Sequence, residues 1–337
     1  MAIDDFHTTV TIKKSDTSIS VNSGVLFMGS CFAENIGNIM AENRFPVLIN
    51  PHGVLYNPFS IATSLKQILA NSPINENELF FLNDLWHSFM HHGRFSQPDA
   101  AETVRLINEA TNRAHQFIQK CRFIVITLGT AMVYEHKETG RIVANCHKFP
   151  SQTFNRYRLN IEEITTELKE SIISLRWLNP KIHVILSVSP IRHLKDGAHG
   201  NQLSKSTLLL AVDRLTDLFE NISYFPAYEI MMDELRDYRF YDAGMTHPSD
   251  TAIKYIWKRF SETYLTNDAR SFALEAGKIA KARHHRPSNT NTPAYRDFLF
   301  KALEATNSLS QRYPEALLEN DKKWFQDQLN HLSQHVD

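Results

Sequence analysis

The chain has 337 residues, 42% of them hydrophobic and 22% charged, the make-up of a globular protein with room for one large α/β domain or a domain plus an appendage. Its 36 basic residues against 37 acidic ones leave a formal net charge of −1, without the electrostatic footprint of a nucleic-acid or anionic-membrane binder. It has no apolar run of about eighteen residues, and Asp4, Asp5, Lys13, Lys14 and Asp16 interrupt its start, so neither a transmembrane span nor a signal-peptide core is expected and the chain reads as cytoplasmic. Cys31, Cys121 and Cys146, odd in number and widely spaced, read as reduced thiols.

Residues 1–20 alternate Thr, Val and Ile with polar groups, as an edge strand or a strap would. Val25-Leu26-Phe27-Met28 then runs into Gly29-Ser30-Cys31, and an amphipathic segment, Ala33 to Asn43, follows at once. That is a buried strand, a tight turn and a helix. Ser30 thus stands in front of helix N-terminal amides, which stabilise developing negative charge. Taken alone, it reads first as a helix cap. Pro46 to Ile49 is a second short strand, and Asn50 to Pro58 is a loop dense in turn-formers. Phe59 to Ala70 has a helical apolar stripe at Ile61, Leu65, Ile68 and Leu69. Phe80 to Arg94, rich in aromatics and histidines, reads as an inserted strand pair or loop.

Ala100 to Lys120 is helical, and Phe123 to Leu128, ended by Gly129-Thr130, is a strand buried on both faces. Ala131 to Pro150 suggests a hairpin turning at Glu138-Thr139-Gly140. A helix at Ile161 to Leu178, a strand at His183 to Val188 and a helix at Leu203 to Phe219 follow. Ile222 to Ile230 holds a last short strand, and a loop at Tyr241 to Ser249 enters a helix over Asp250 to Leu265. This alternation predicts a three-layer α/β/α parallel sheet in residues 1–266, with ligands at the carboxyl ends of the strands. In 267–337 apolar residues thin out. Lys281 to Asn291 reads as an exposed linker, and Tyr295 to Thr306 and Pro314 to His331 as amphipathic helices of a C-terminal appendage, lid or interface.

Acyl transfer needs a nucleophile, a base and donors aimed at the oxyanion. Ser30 and His247 both fall at predicted strand ends, where Gly53, Asn57 and the Gly129-Thr130 pair add small residues and polar donors. His52, His87, His91, His92, His147 and His193 lack the spacing of a zinc motif and read as a polar pocket lining suited to sugar hydroxyls, with a zinc site as the minority reading. Arg94, Lys148, Arg192 and Lys195 are candidates for an anionic group on a substrate, against the plainer reading of solvated surface. Cys31 ranks below Ser30 as a nucleophile, since neighbouring side chains on a turn diverge.

The segment Gly29-Ser30-Cys31-Phe32-Ala33 resembles the signature of the GSCFA domain family, itself similar to the SGNH/GDSL hydrolases. The likeness extends over roughly residues 20 to 260. It includes Asn50 to Pro58, Trp86-His87-Ser88-Phe89, Thr127 to Ala131, Ala144 to Lys148, Ser187 to His193, Tyr228 to Tyr241 and His247-Pro248-Ser249. The resemblance implies an SGNH-like α/β/α fold. It also implies Ser30 as nucleophile, His247 as base, and an oxyanion hole built from the Ser30 N–H and Gly53 or Asn57. Two positions depart from the clan's pattern. No asparagine follows Gly129-Thr130, which leaves Asn57, Thr130 or Asn145 to supply the donor. The position of the usual acid is Gly244, which leaves Asp242 or a Ser-His dyad. The expected activity is serine-dependent removal of an acetyl or small acyl group from a carbohydrate-like ester, without cofactor or metal. The alternative is a catalytically reduced glycan or nucleotide-sugar binding module on the same fold.

Overall fold

The computed structural model describes residues 8–334. Residues 1–7 of the expected strap and 335–337 of the appendage lie outside the described residues. The chain opens with β1 (Val25–Gly29), α1 (Cys31–Glu42), β2 (Val47–Ile49) and α2 (Pro58–Ala70). A hairpin of β3 (Phe80–Leu82) and β4 (Leu85–His87) leads to α3 (Ala100–Ile118) and β5 (Phe123–Leu128). An antiparallel excursion of β6 (Met132–His136), β7 (Arg141–Val143) and β8 (Phe154–Arg158) precedes α4 (Ile161–Leu178) and β9 (His183–Val188). Next come α5 (Gly197–Leu218), β10 (Ile222–Phe225), the short α6 (Ala227–Glu229) and α7 (Asp250–Tyr264). The chain ends with α8 (Asn267–His284), α9 (Pro293–Arg312) and α10 (Glu319–Gln334).

Five parallel strands form the central sheet in the order β10-β9-β5-β1-β2. Period-two alternation sends successive side chains to opposite faces, and both faces are covered. Val25, Phe27, Phe123, Val125 and Ile185 enter a core shared with Met40, Ile256, Phe260 and Phe272. Leu26, Met28, Ile124, Ile126 and Leu186 enter a second core with Ile61, Leu65, Ile118, Leu168 and Leu208. Each such buried side chain contributes roughly 1.5–3 kcal/mol. The result is a three-layer α/β/α fold. The chain leaves β1 for β2 on one side and for β5 on the other, so the switch in strand order lies at the carboxyl ends of β1 and β5.

Four local outcomes differ from expectation. Residues 8–12 form no strand, but Val10 is strapped down, its N–H donating to Glu234 and its carbonyl accepting from Arg259. α5 begins at Gly197 rather than Leu203, because its first turn carries Gly197 and Gly200, which read as loop, and has no side-chain cap. β8 pairs along β6 although its residues are largely polar and exposed. α8 was masked by the sparse apolar content of 267–284, yet Phe272, Ala276 and Ile279 form its buried stripe, and the helix runs through the first residues expected as linker.

The last helices dock on the C-terminal end of α1, opposite Ser30. Asp321, fully buried, takes a bidentate contact from Arg44, just past α1, at 2.5 and 2.7 Å, and a further one from Arg283 at 3.1 Å. Phe45 meets Phe272 edge-on at 5.4 Å. α1 has 12 residues and is about 18 Å long, which sets this contact a helix length away from Ser30.

Candidate active site

Ser30 caps α1: its Oγ accepts from Phe32 N at 3.3 Å, and its backbone is extended. The cap expected from sequence is present, at the carboxyl end of β1. Gly29 makes the turn possible. Its φ is +130°, and a Cβ there would lie 2.1 Å from Thr127 O. Ser30 is fully buried, and its N–H donates to Thr127 O at 3.1 Å. The amide expected to hold an oxyanion is therefore engaged in the sheet edge. The next amide, Cys31 N–H, is the first of the helix and has no carbonyl four residues back within α1.

The loop after β2 packs over this turn. Asn50, at φ +41°, accepts the Gly29 N–H on Oδ1 at 2.9 Å, and Leu55 N donates to Gly29 O. Gly53 has φ +89°, with a Cβ position 2.0 Å from His92 Cβ, so a side chain is excluded; its N–H donates to Asn50 O. Tyr56 projects from the loop, its OH 3.5 Å from Cys31 Sγ and its ring 5.8 Å from that of His193. Burial, with the Cys31 contact next, raises the Tyr56 phenol above its ordinary pKa and keeps it neutral. Asn57 caps α2, its Oδ1 accepting from Ser60 N.

At the end of β5, the N–H groups of Gly129 and Thr130 both donate to Tyr56 O, at 2.7 and 3.0 Å. Thr130 Oγ1 contacts Ser204 Oγ and accepts from Met132 N. Neither backbone donor is open to a ligand, so Gly53, Gly129 and Thr130 shape the site through close backbone packing rather than through free amides. Beneath them Lys205, fully buried, donates to Gly129 O and Ser189 O, both at 2.6 Å.

His247 sits on the loop after β10, which is tied to the β9 end by Arg192 N donating to Thr246 O at 3.0 Å. Its Nδ1 lies 3.0 Å from Thr246 Oγ1 and 3.8 Å from Asp242 Oδ2, and its N–H contacts Asp242 Oδ1. The ring is about half exposed. Asp242, two residues before the usual acid position, is thus brought to His247. Ser30 Oγ and His247 are not hydrogen-bonded to each other: the bond Ser30 Oγ makes is with Phe32 N.

The remaining candidate histidines divide. His193 Nε2 is buried without a partner, and burial, then the Lys205 charge, lowers its pKa to about 4. His87 spends both ring nitrogens, on Ser96 Oγ and Leu82 O, which leaves none for a sugar hydroxyl. His147 donates from Nε2 to Ser88 O, and Asn145 Oδ1 accepts the His147 N–H. His52 and His91 are interior, bound to Ser64 and Thr111 and to Ser88. Among the described residues, no three His, Cys, Asp or Glu side chains gather as metal ligands. Reading the sequence alone missed Asn50, Thr246 and Lys205. Asn50 opened a quoted loop, but only the Gly29 contact singles it out.

A doubly wound parallel sheet with a capping serine at its switch point defines a three-layer α/β/α fold with a helical C-terminal appendage. The chain belongs to the GSCFA family, whose model matches residues 24–260; the model of the GSCFA domain protein C-terminal domain matches 276–331. Among solved structures it is similar to one described as a platelet activating factor from Streptococcus pneumonia, at 12% identity and TM-score 0.37, over 71% of this chain and 84% of that one. It is also similar to an acetyl xylan esterase (Est2A) from the rumen bacterium Butyrivibrio proteoclasticus, at 11% identity and TM-score 0.39, over 71% of this chain and 63% of that one. The chain matches no curated protein. No described helix is long and apolar enough to cross a membrane.

Proposed function

We propose that the protein is a serine-dependent ester hydrolase that removes an acetyl or other small acyl group from a carbohydrate-like substrate. Ser30 is the nucleophile, His247 the base, and Asp242 assists the imidazole. The observation that carries the reading is the convergence of loops on Ser30. Cys31 reaches Tyr56, Tyr56 reaches His193, and the adjacent Arg192 is bonded to the loop of His247, all at the carboxyl edge of the sheet. His247 takes the Ser30 proton, Ser30 Oγ attacks the ester carbonyl, the alcohol leaves with that proton, and water then releases the acyl group. Catalytic hydrogen bonds often form only once substrate is bound. Here the exposed His247 side chain and the buried serine reorient toward each other.

The second reading, a binding module that has lost catalysis, is favoured by one observation: the N–H groups of Ser30, Gly53, Gly129 and Thr130 are all engaged. Release of p-nitrophenol from its acetate by wild type, Ser30→Ala and His247→Ala separates the two. Loss of at least 100-fold (about 2.7 kcal/mol) in both variants supports the hydrolase. Equal background rates in all three proteins support the binding module.

A further inference from the structure

With the expected backbone amides engaged, an oxyanion at Ser30 needs donors from elsewhere. Asn50 directly follows β2, which lies beside β1 in the sheet, and is only 1% exposed. Its side-chain orientation is fixed by chemistry: Oδ1 accepts the Gly29 N–H, and a flipped amide would set two donors against each other. Its backbone is held as firmly. The N–H donates to Phe27 O at 2.8 Å, and the carbonyl accepts from Gly53 N at 2.8 Å and Arg94 Nη2 at 2.6 Å. Those bonds hold it at φ +41°, a left-handed conformation that asparagine tolerates better than most residues. The remaining group, Nδ2, is buried and has no hydrogen-bond partner. Buried amides are nearly always satisfied, so an orphan N–H pair held beside Gly29, the residue before Ser30, is free to meet an acceptor that arrives from outside.

We propose that Asn50 Nδ2 is an oxyanion donor of the Ser30 centre, acting on the ester carbonyl oxygen as it gains charge. This rests on the hydrolase reading. The side chain that carries the donor is already fixed by its Oδ1 bond and by the three backbone bonds of Asn50, so little reorganisation is needed during the reaction, as electrostatic stabilisation of a transition state requires. Cys31 N–H, at the start of α1, is the backbone donor available to act with it.

The test is Asn50→Asp, near-isosteric and compatible with the same backbone. An aspartate keeps an oxygen for Gly29 N–H but replaces the Nδ2 donor with an acceptor. For p-nitrophenyl acetate, kcat should fall by about 10²- to 10³-fold, with KM changed less than about threefold and the melting temperature retained. Because a protonated carboxyl donates a hydrogen bond, the ratio of variant to wild-type kcat should rise as the pH is lowered toward 4. Retained kcat in the variant overturns the assignment, as does a loss that follows KM or melting temperature and is flat in pH. If wild type and Ser30→Ala hydrolyse the ester equally, the hydrolase reading itself fails and this role goes with it.

Discussion

Lys205 Nζ lies 2.6 Å from the carbonyl oxygen of Gly129, and the same nitrogen bonds Ser189 O at the same distance. One fully buried side chain thereby joins the carboxyl ends of β5 and β9 beneath the proposed active site. Besides these two carbonyls it faces the Tyr228 ring, 5.8 Å away, and none of the ion pairs among the described residues includes it.

Burial, with the Arg192 charge next, pulls the Lys205 pKa down from 10.5 to about 7. Between those values the unfolded chain holds a proton that the folded protein has released, so stability rises with pH across that window. The cost of burying the ammonium is complete below about pH 7. Wild type should therefore gain stability relative to Lys205→Met between pH 7 and 9, by on the order of 1 kcal/mol per pH unit. Urea unfolding of both proteins at the two pH values measures this. A difference that is flat in pH refutes the lowered pKa of Lys205.

His52 titrates in the opposite region. Thr111 donates its hydroxyl to Ile107 O and so accepts from His52 Nε2–H, while Ser64 faces Nδ1, and the ring is held neutral between them. Burial, then Arg94, lowers its pKa from 6.5 to about 4. The unfolded chain takes up this proton first as the pH falls. The stabilisation is complete above about pH 6.5 and is lost progressively toward pH 4, a span of roughly 3 kcal/mol from this residue. An NMR titration of the ring should show no midpoint above about pH 5, and the acid limb of the stability curve should be shallower in His52→Gln.

Asp321 anchors the C-terminal helices through Arg44 and Arg283. A buried charge pair gives little net stability, but removing one partner strands the others. Asp321→Ala should destabilise the protein by about 3–5 kcal/mol in urea unfolding and speed proteolytic cleavage between α8 and α9. A variant as stable as wild type would show that the helices are held by apolar contacts alone.

The central strands were legible because burial on both faces writes continuous apolar runs such as Phe123 to Leu128 and His183 to Val188. Ser30 was legible as a cap because strand, glycine and helix pattern adjoin it. The features that depend on distant contacts were not. Asn50 looks like an ordinary turn residue until Gly29 is placed beside it, and Lys205 sits in an expected helix like any surface lysine. The engaged amides of Gly53, Gly129 and Thr130 were equally hidden, since their partners, Asn50 O and Tyr56 O, are set by how the loops pack. α8 escaped because alanine fills much of its inward face, giving weak hydropathy to a buried stripe.

The loop of His247 supplies the last prediction. Thr246 Oγ1, at 3.0 Å, is nearer His247 Nδ1 than Asp242 Oδ2 at 3.8 Å. If Nδ1–H donates to the threonine hydroxyl, Nε2 is left as the base, which is the tautomer the proposed mechanism requires. The carboxylate is about half exposed, so water screens it and weakens its hold on the ring. On this geometry Thr246→Val should lower kcat for p-nitrophenyl acetate by about tenfold or more, and Asp242→Asn by less, well short of the roughly 10⁴-fold loss when a buried triad aspartate is replaced. Steady-state kinetics of the two variants beside His247→Ala decide it. A larger loss at Asp242 than at Thr246 would show that the loop closes on substrate and brings the carboxylate onto Nδ1.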